Sequence, residues 1–269
     1  MNNGEISRAD VEECLASLVR CPSVSPGDPH EVVPPFGEAA MADLLETMLM
    51  AMGGAVERQD VLPGRPNVLA RFTGSDATRT ILLDAHTDTV SHEGMSISPF
   101  AAEIRNGRLY GRGACDTKGP MTSMLLALKA AVESGELACN VVFAATCDEE
   151  SGAAGAQALV ESGLKADFAI AAEPTELQLI CRHKGVERAN ITLRGRAAHS
   201  STPERGHNAI YPMVRLVGEL ERVAAEFAGG AMDAELGHPT LAVTTIRGGV
   251  TPNIIPEQCS IDVDLRVLP

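Results

Sequence analysis

The chain has 269 residues, 45% of them hydrophobic, enough to bury a sizeable core in one large domain or in a large domain and a small one. Its formal net charge of -14 and pI near 4.9 exclude a nucleic-acid backbone and an anionic membrane surface as partners, since both would repel it. The seven cysteines form no CxxC pair and no disulfide-like cluster, which points to reduced thiols in the cytoplasm and leaves the Asn190 sequon without meaning. No signal peptide opens the chain, and no apolar run reaches the length of a membrane span.

Taken in order, residues Arg8 to Arg20 place Val11, Leu15, Leu18 and Val19 on one face, and Ser7 with Asp10 three positions on forms a capping box. This predicts a helix. A loop from Cys21 to Asp28 leads to a second helix, Phe36 to Met52, which stops at Gly53-Gly54. Its methionines are core filler. Strands near Ala55 to Gln59 and Asn67 to Phe72 precede the run Ile81-Leu-Leu-Asp-Ala85. A hairpin through Asn106-Gly107 follows, then a Gly-rich loop, and a helix from Lys118 to Glu133. That helix is a crossover, which makes the run Asn140 to Thr146 parallel to the Ile81 strand. A further crossover, Ala153 to Glu161, leads to Asp167 to Ala172.

These three runs are short, β-prone and nearly continuous, as strands buried on both faces should be. Each ends in candidate ligands: His86-Thr-Asp88, Asp148-Glu149-Glu150 and Glu173. The carboxyl edge of an open parallel sheet is where ligands bind. Beyond Glu173 the strands alternate or carry polar residues, as in Gly185 to Arg194, Leu241 to Arg247 and Ser260 to Arg266. A helix from Ala209 to Phe227 lies among them. That pattern describes an antiparallel sheet with one wet face. The expected boundary lies near Ile180, giving a catalytic domain over 1–180 and a second domain over 181–269.

Asp116, at the centre of Gly111-Arg-Gly-Ala-Cys-Asp-Thr-Lys-Gly119, is the residue the other acids are arranged to meet. Imidazole and carboxylate ligands suit zinc, cobalt or manganese, and one carboxylate can bridge two ions about 3.5–4 Å apart. Singly, a His-x-Asp at a strand end fits a structural hydrogen bond, and a Glu-Glu pair fits a solvated surface. Three strand-end sites converging with Asp116 make coincidence the poorer account. A phosphate loop is rejected, because Asp116 and Thr117 stand where that motif needs Gly-Lys. His30, His92, His207 and His238 are expected at the surface, His183 stays open, and Cys115 and Cys147 are ordinary buried thiols.

Together with Gly195-x-x-x-His199-Ser-Ser and Pro252-Asn253-x-x-Pro256, these motifs resemble the M20 family of zinc metallopeptidases and aminoacylases. That family includes deacetylases, desuccinylases and glutamate carboxypeptidases. The resemblance covers nearly the whole chain, with the motifs in the family's order. It implies an α/β fold: a mostly parallel sheet flanked by helices, plus a smaller α+β lid and dimerisation domain. It also implies two zinc ions, with His86 and Glu173 at the first, Glu150 at the second and Asp116 shared. Asp88 would orient the His86 ring. Glu149 would be the general base as metal-bound hydroxide attacks the amide of an N-acyl-L-amino acid or short peptide. His199 would stabilise the oxyanion, Asn253 and Arg266 would hold a substrate carboxylate, and a homodimer would form through the second domain.

Members of the family continue past the point matched by Pro269 and supply a further histidine to the second ion. The expectation is therefore a partial chain with an incomplete lid domain. The alternatives to an N-acyl-amino-acid hydrolase are a fragment with an incomplete metal site and no turnover, and a dipeptidase or carboxypeptidase of the same family.

Overall fold

The computed structural model describes residues 6–26 and 36–269. His30 and the end of the Cys21 to Asp28 loop lie outside the described residues. The chain divides into two compact units, Met1–Leu177 and Gln178–Pro269.

In the first unit, α1 (Arg8–Arg20) begins with the capping box: the Ser7 hydroxyl accepts from the Asp10 amide, and the Asp10 carboxylate accepts from the Ser7 amide. α2 (Ala39–Ala51) starts three residues later than the sequence pattern suggests. Gly37 has φ +84°, outside the helical region, and the Glu38 carboxylate is bound to Arg65 rather than left at a free helix start. Next come β1 (Ala55–Leu62) and β2 (Arg65–Phe72), joined at Gly64, then β3 (Asp76–His86). The hairpin of β4 (Glu103–Arg105) and β5 (Arg108–Tyr110) turns at Asn106-Gly107 with both φ angles positive. α3 (Lys118–Glu133), β6 (Cys139–Thr146), α4 (Ala154–Glu161) and β7 (Phe168–Ala171) complete the unit.

The sheet order is β1-β2-β6-β3-β7. β3 pairs in parallel with β6 and β7, β2 is antiparallel to both of its neighbours, and β1 therefore points with β6. The fold is mixed α/β with a mostly parallel central sheet. Alternation along the strands sorts the core into two faces. Val68, Ala70, Phe72, Val141, Phe143 and Ala145 pack under α1, α2 and α3, whereas Leu69 and Ala144 meet Leu159 of α4 on the opposite side. The chain leaves β3 for β6, then returns across β3 to β7. This puts the carboxyl end of β3 between two strand ends, a position suited to a ligand site.

The expectation that all three apolar runs are buried on both faces fails at β7. Phe168 and Ile170 are 70% and 53% exposed, because β7 is the sheet's edge and pairs only with β3 among the described residues. His92 and His238 are also not fully exposed: both are half-buried, and the His92 ring centroid lies 6.5 Å from that of Phe36 and 5.6 Å from that of Phe100.

The second unit holds β8 (Gly185–Arg194), α5 (Ile210–Gly229), β9 (Thr240–Gly248) and β10 (Gln258–Val267). Its sheet is antiparallel in the order β8-β10-β9. Cys259, Ile261 and Val263 of β10 face the α5 residues Met213 and Val217, while Asp262 and Asp264 alternate to the wet face and pair with Arg247 and Arg188. All seven cysteines are free thiols. Among the described residues no helix is long and apolar enough to cross a membrane.

Candidate metal centre

Three strand ends and one loop build the centre. His86 is the last residue of β3, Glu149 and Glu150 follow β6, Glu173 follows β7, and Asp116 stands just before α3. Ligand atoms of His86, Asp116 and Glu173 lie within 4.8 Å of one another, as do those of His86, Glu149 and Glu150. The two groups share His86.

His86 Nε2 is 3.0 Å from Asp116 Oδ1, and its Nδ1 is 3.0 Å from the Asp88 carbonyl oxygen. An Nδ1–H donated to that carbonyl leaves Nε2 as the ligand atom. The carboxylate of Asp88 lies 3.6 Å from Nδ1, and its two oxygens accept the amides of Glu149 and Glu150, each at 3.0 Å. Asp88 thus meets the ring through both its carbonyl and its carboxylate while it fastens the glutamate turn. Glu150 Oε1 also accepts from the Val90 amide at 3.2 Å. The Asp116–Thr117 peptide is cis, and the Thr117 hydroxyl donates to the carbonyl of Ala172, linking the Asp116 loop to the residue before Glu173.

The charges fit a divalent cation. One imidazole faces four carboxylates, those of Asp116, Glu149, Glu150 and Glu173. Glu150 and Glu173 titrate above the usual carboxylate range, first because burial disfavours their charge and then because the neighbouring carboxylates repel it. Burial acts to lower His86, but the hydrogen bond and charge of Asp88, with Glu149 and Asp116, outweigh it and lift the ring to about 10. The largest influences on Glu150 and Glu173 include no lysine or arginine, and a bound cation is a group that would offset these acids.

Sequence patterns left several supporting residues unseen. Arg65 is buried with Glu38 and Asp148, its guanidinium 2.6 Å from Glu38 Oε2 and 2.9 Å from Asp148 Oδ1. Lys118 is buried too, donates to the Cys21 carbonyl at 2.8 Å, and is pulled down to about 8 by desolvation. An unpaired charge in a helix's first turn was the only available hint. The expectation of two buried thiols fails at Cys115, which lies in the turn before α3 and is exposed, and holds at Cys147, where burial pushes the thiol up to about 12.

His199, Asn253 and Arg266 belong to the second unit. There the His199 and Asn253 loops pair through the His199–Ile254 bridge and the Ser200 amide, which donates to the Asn253 carbonyl at 3.0 Å. His199 Nδ1 accepts from the Ser201 amide, so a neutral ring carries its proton on Nε2 as a donor. Asn253 Oδ1 accepts from the Thr251 hydroxyl, and Arg266 is forked onto Asp264 at 2.7 and 3.2 Å.

The model of peptidase family M20/M25/M40 matches residues 82–253, a span that contains every centre residue named above. The chain is 35% identical over 237 residues to acetylornithine deacetylase of Myxococcus xanthus, covering 85% of this chain and 62% of that protein. With acetylornithine deacetylase of Proteus mirabilis it shares 34% over 266 residues, 96% of this chain and 67% of that one. It thus spans about two thirds of the length of these relatives. Among solved structures it resembles an M20 family metallo-carboxypeptidase from Sulfolobus solfataricus, with a TM-score of 0.79 and 21% identity over 96% of this chain and 71% of that one, a likeness of fold. With the strand-end acids and His86 placed as described, the chain belongs to peptidase family M20/M25/M40.

Proposed function

We propose that this chain carries the hydrolytic centre of a dinuclear zinc amidohydrolase that cleaves an N-acyl-L-amino acid. The observation that carries the reading is the convergence of His86, Asp116 and Glu173 with Glu149 and Glu150 at the carboxyl edge of the sheet. His86, Asp116 and Glu173 would hold one ion, and Glu150 with Asp116 the other. Zinc, or cobalt or manganese in its place, supplies Lewis acidity when bound, polarising the amide carbonyl and lowering the pKa of the attacking water.

The chain's own groups do the rest. Glu149 takes a proton from the attacking water and returns it to the leaving nitrogen. Asp88 keeps that glutamate in place by binding its amide rather than its carboxylate. The family resemblance alone supports roles for His199, whose Nε2–H would be donated to the developing oxyanion, and for Asn253, whose amide hydrogens would go to the substrate. Arg266 would hold the substrate carboxylate after exchanging Asp264 for it. The deacetylase relatives support an acyl-amino-acid substrate. The free cysteines suit the reducing cytoplasm. The exposed Tyr211, Val214 and Ile246 supply apolar surface for a homodimer through the second unit, and a monomer mass by light scattering at micromolar concentration would contradict that.

The test is metal content after equilibration with zinc, run beside hydrolysis of a panel of N-acyl amino acids and dipeptides. One firmly held ion per chain, lost in Asp116→Ala, a second held more weakly by Glu150 and Asp116 alone, and whatever turnover is present reduced about 10²–10⁴-fold in Glu149→Gln with zinc retained, are the expected results. Zinc content equal in wild type and Asp116→Ala would overturn the reading.

A further inference from the structure

We propose that the buried ion cluster Glu38–Arg65–Asp148 is a clamp that positions the Glu149–Glu150 turn for the metal centre. Arg65 and Glu38 are 1% and 0% exposed, and Asp148 is buried beside them. The guanidinium grips Glu38 through Nε at 2.6 Å and Nη2 at 2.7 Å, and reaches Asp148 through Nη1 at 2.9 Å. Glu38 Oε1 in turn accepts the Asp148 amide at 3.2 Å, so the residue before Glu149 is held by both its backbone and its side chain. Asp148 Oδ2 accepts from Ala154 at the start of α4, and the Asp148 backbone sits at φ +67°. At the far side of the turn, Ser151 is hydrogen bonded to Ser25 at 2.7 Å, and the Ser25 hydroxyl is 3.5 Å from Arg65 Nη2. One guanidinium therefore organises both ends of the segment from Asp148 to Ser151.

Stability alone does not ask for this arrangement. Burying charges is costly, and apolar groups of the same volume commonly hold a fold as well or better. A purely structural pair would also match one cation to one anion. Here a second carboxylate is buried with the first, and it belongs to the residue directly before Glu149. Asp88 fixes the same turn from the metal side through the Glu149 and Glu150 amides. The two attachments together fix the backbone of the turn without engaging the Glu149 and Glu150 carboxylates, as ligand and base positions require.

The clamp is tested in Asp148→Asn, which keeps volume and acceptor but removes the charge, and in Glu38→Gln, which acts through Arg65. In the metal-free protein, amide hydrogen exchange at Glu149 and Glu150 should quicken about tenfold or more while Phe143 and Ala145 of β6 stay within about twofold. Zinc affinity, measured against a competing chelator, should fall about 10–100-fold, as is typical when a ligand's support is removed. If Asp148→Asn does not fold, Glu38→Gln decides the matter by the same readouts. A folded variant with a lower Tm but unchanged exchange at both amides and unchanged zinc affinity would overturn the proposal. The zinc arm rests on the function proposed above, and the exchange arm does not. A wild type that binds no zinc, with the two amides loosened in the variants, would sink that function and leave the clamp standing.

Discussion

His86 binds a proton more tightly than a histidine in water, because Asp88, Glu149 and Asp116 favour its charged form. Its titration near 10 means that the metal-free ring is protonated at neutral pH, so a metal ion must displace that proton. Affinity should therefore rise about tenfold per pH unit up to about 10. Calorimetry at pH 7.5 in two buffers of different ionisation enthalpy should show about one proton released per first ion bound. Zero release would contradict the proton's assignment to His86. The strand-end placement of His86, Glu149, Glu150 and Glu173 is legible in the sequence, since each follows a short β-prone run. The double attachment of Asp88 is not, because its partners are 61 and 62 residues away and no local pattern announces them.

At the scale of elements, the helices whose signals are local were the most readable. α1 carries its own capping box, and α3 has the expected bounds. What escaped depends on neighbours: the late start of α2 on the Glu38–Arg65 pair, and the exposure of β7 on its place at the sheet edge. The junction of β6 with α4 is a tight contact near the centre. A Cβ at Gly155 would lie 2.4 Å from the Cys147 carbonyl and 2.5 Å from Asn67 Oδ1. Gly155→Ala should cost about 1–3 kcal/mol in urea unfolding, and a change under about 0.5 kcal/mol would show that α4 can move away. In the second unit, Asp262 is held near 2 by hydrogen bonds from Asn190, Thr245 and Arg247. A depressed carboxylate stabilises fully above its unfolded value of 3.8, and that contribution is lost as pH falls toward 2. Asp262→Asn should flatten this part of the acid melting curve, and an unchanged acid slope would refute the pairing's role.

For the whole molecule, the two units each have their own core, one under α1 to α3 and one between α5 and β10. The chain passing from one to the other exposes Leu177, Leu179 and Ile180, and Glu176 and Leu177 both have positive φ. Limited digestion with thermolysin should cut there first, leaving fragments near 1–177 and 178–269, and a first cut inside either core would contradict this division. The exposed thiol of Cys115 has a practical consequence of a different kind. It stands one residue from Asp116, while Cys14, Cys147 and Cys259 are buried and Cys181 is the other exposed cysteine. With Cys181 and the half-buried Cys21 and Cys139 replaced by serine, a single fluorophore can be attached beside the centre, where a paramagnetic ion such as cobalt would quench it. Occupancy could then be followed by light emission without any substrate, and metals compared before the acyl group is known.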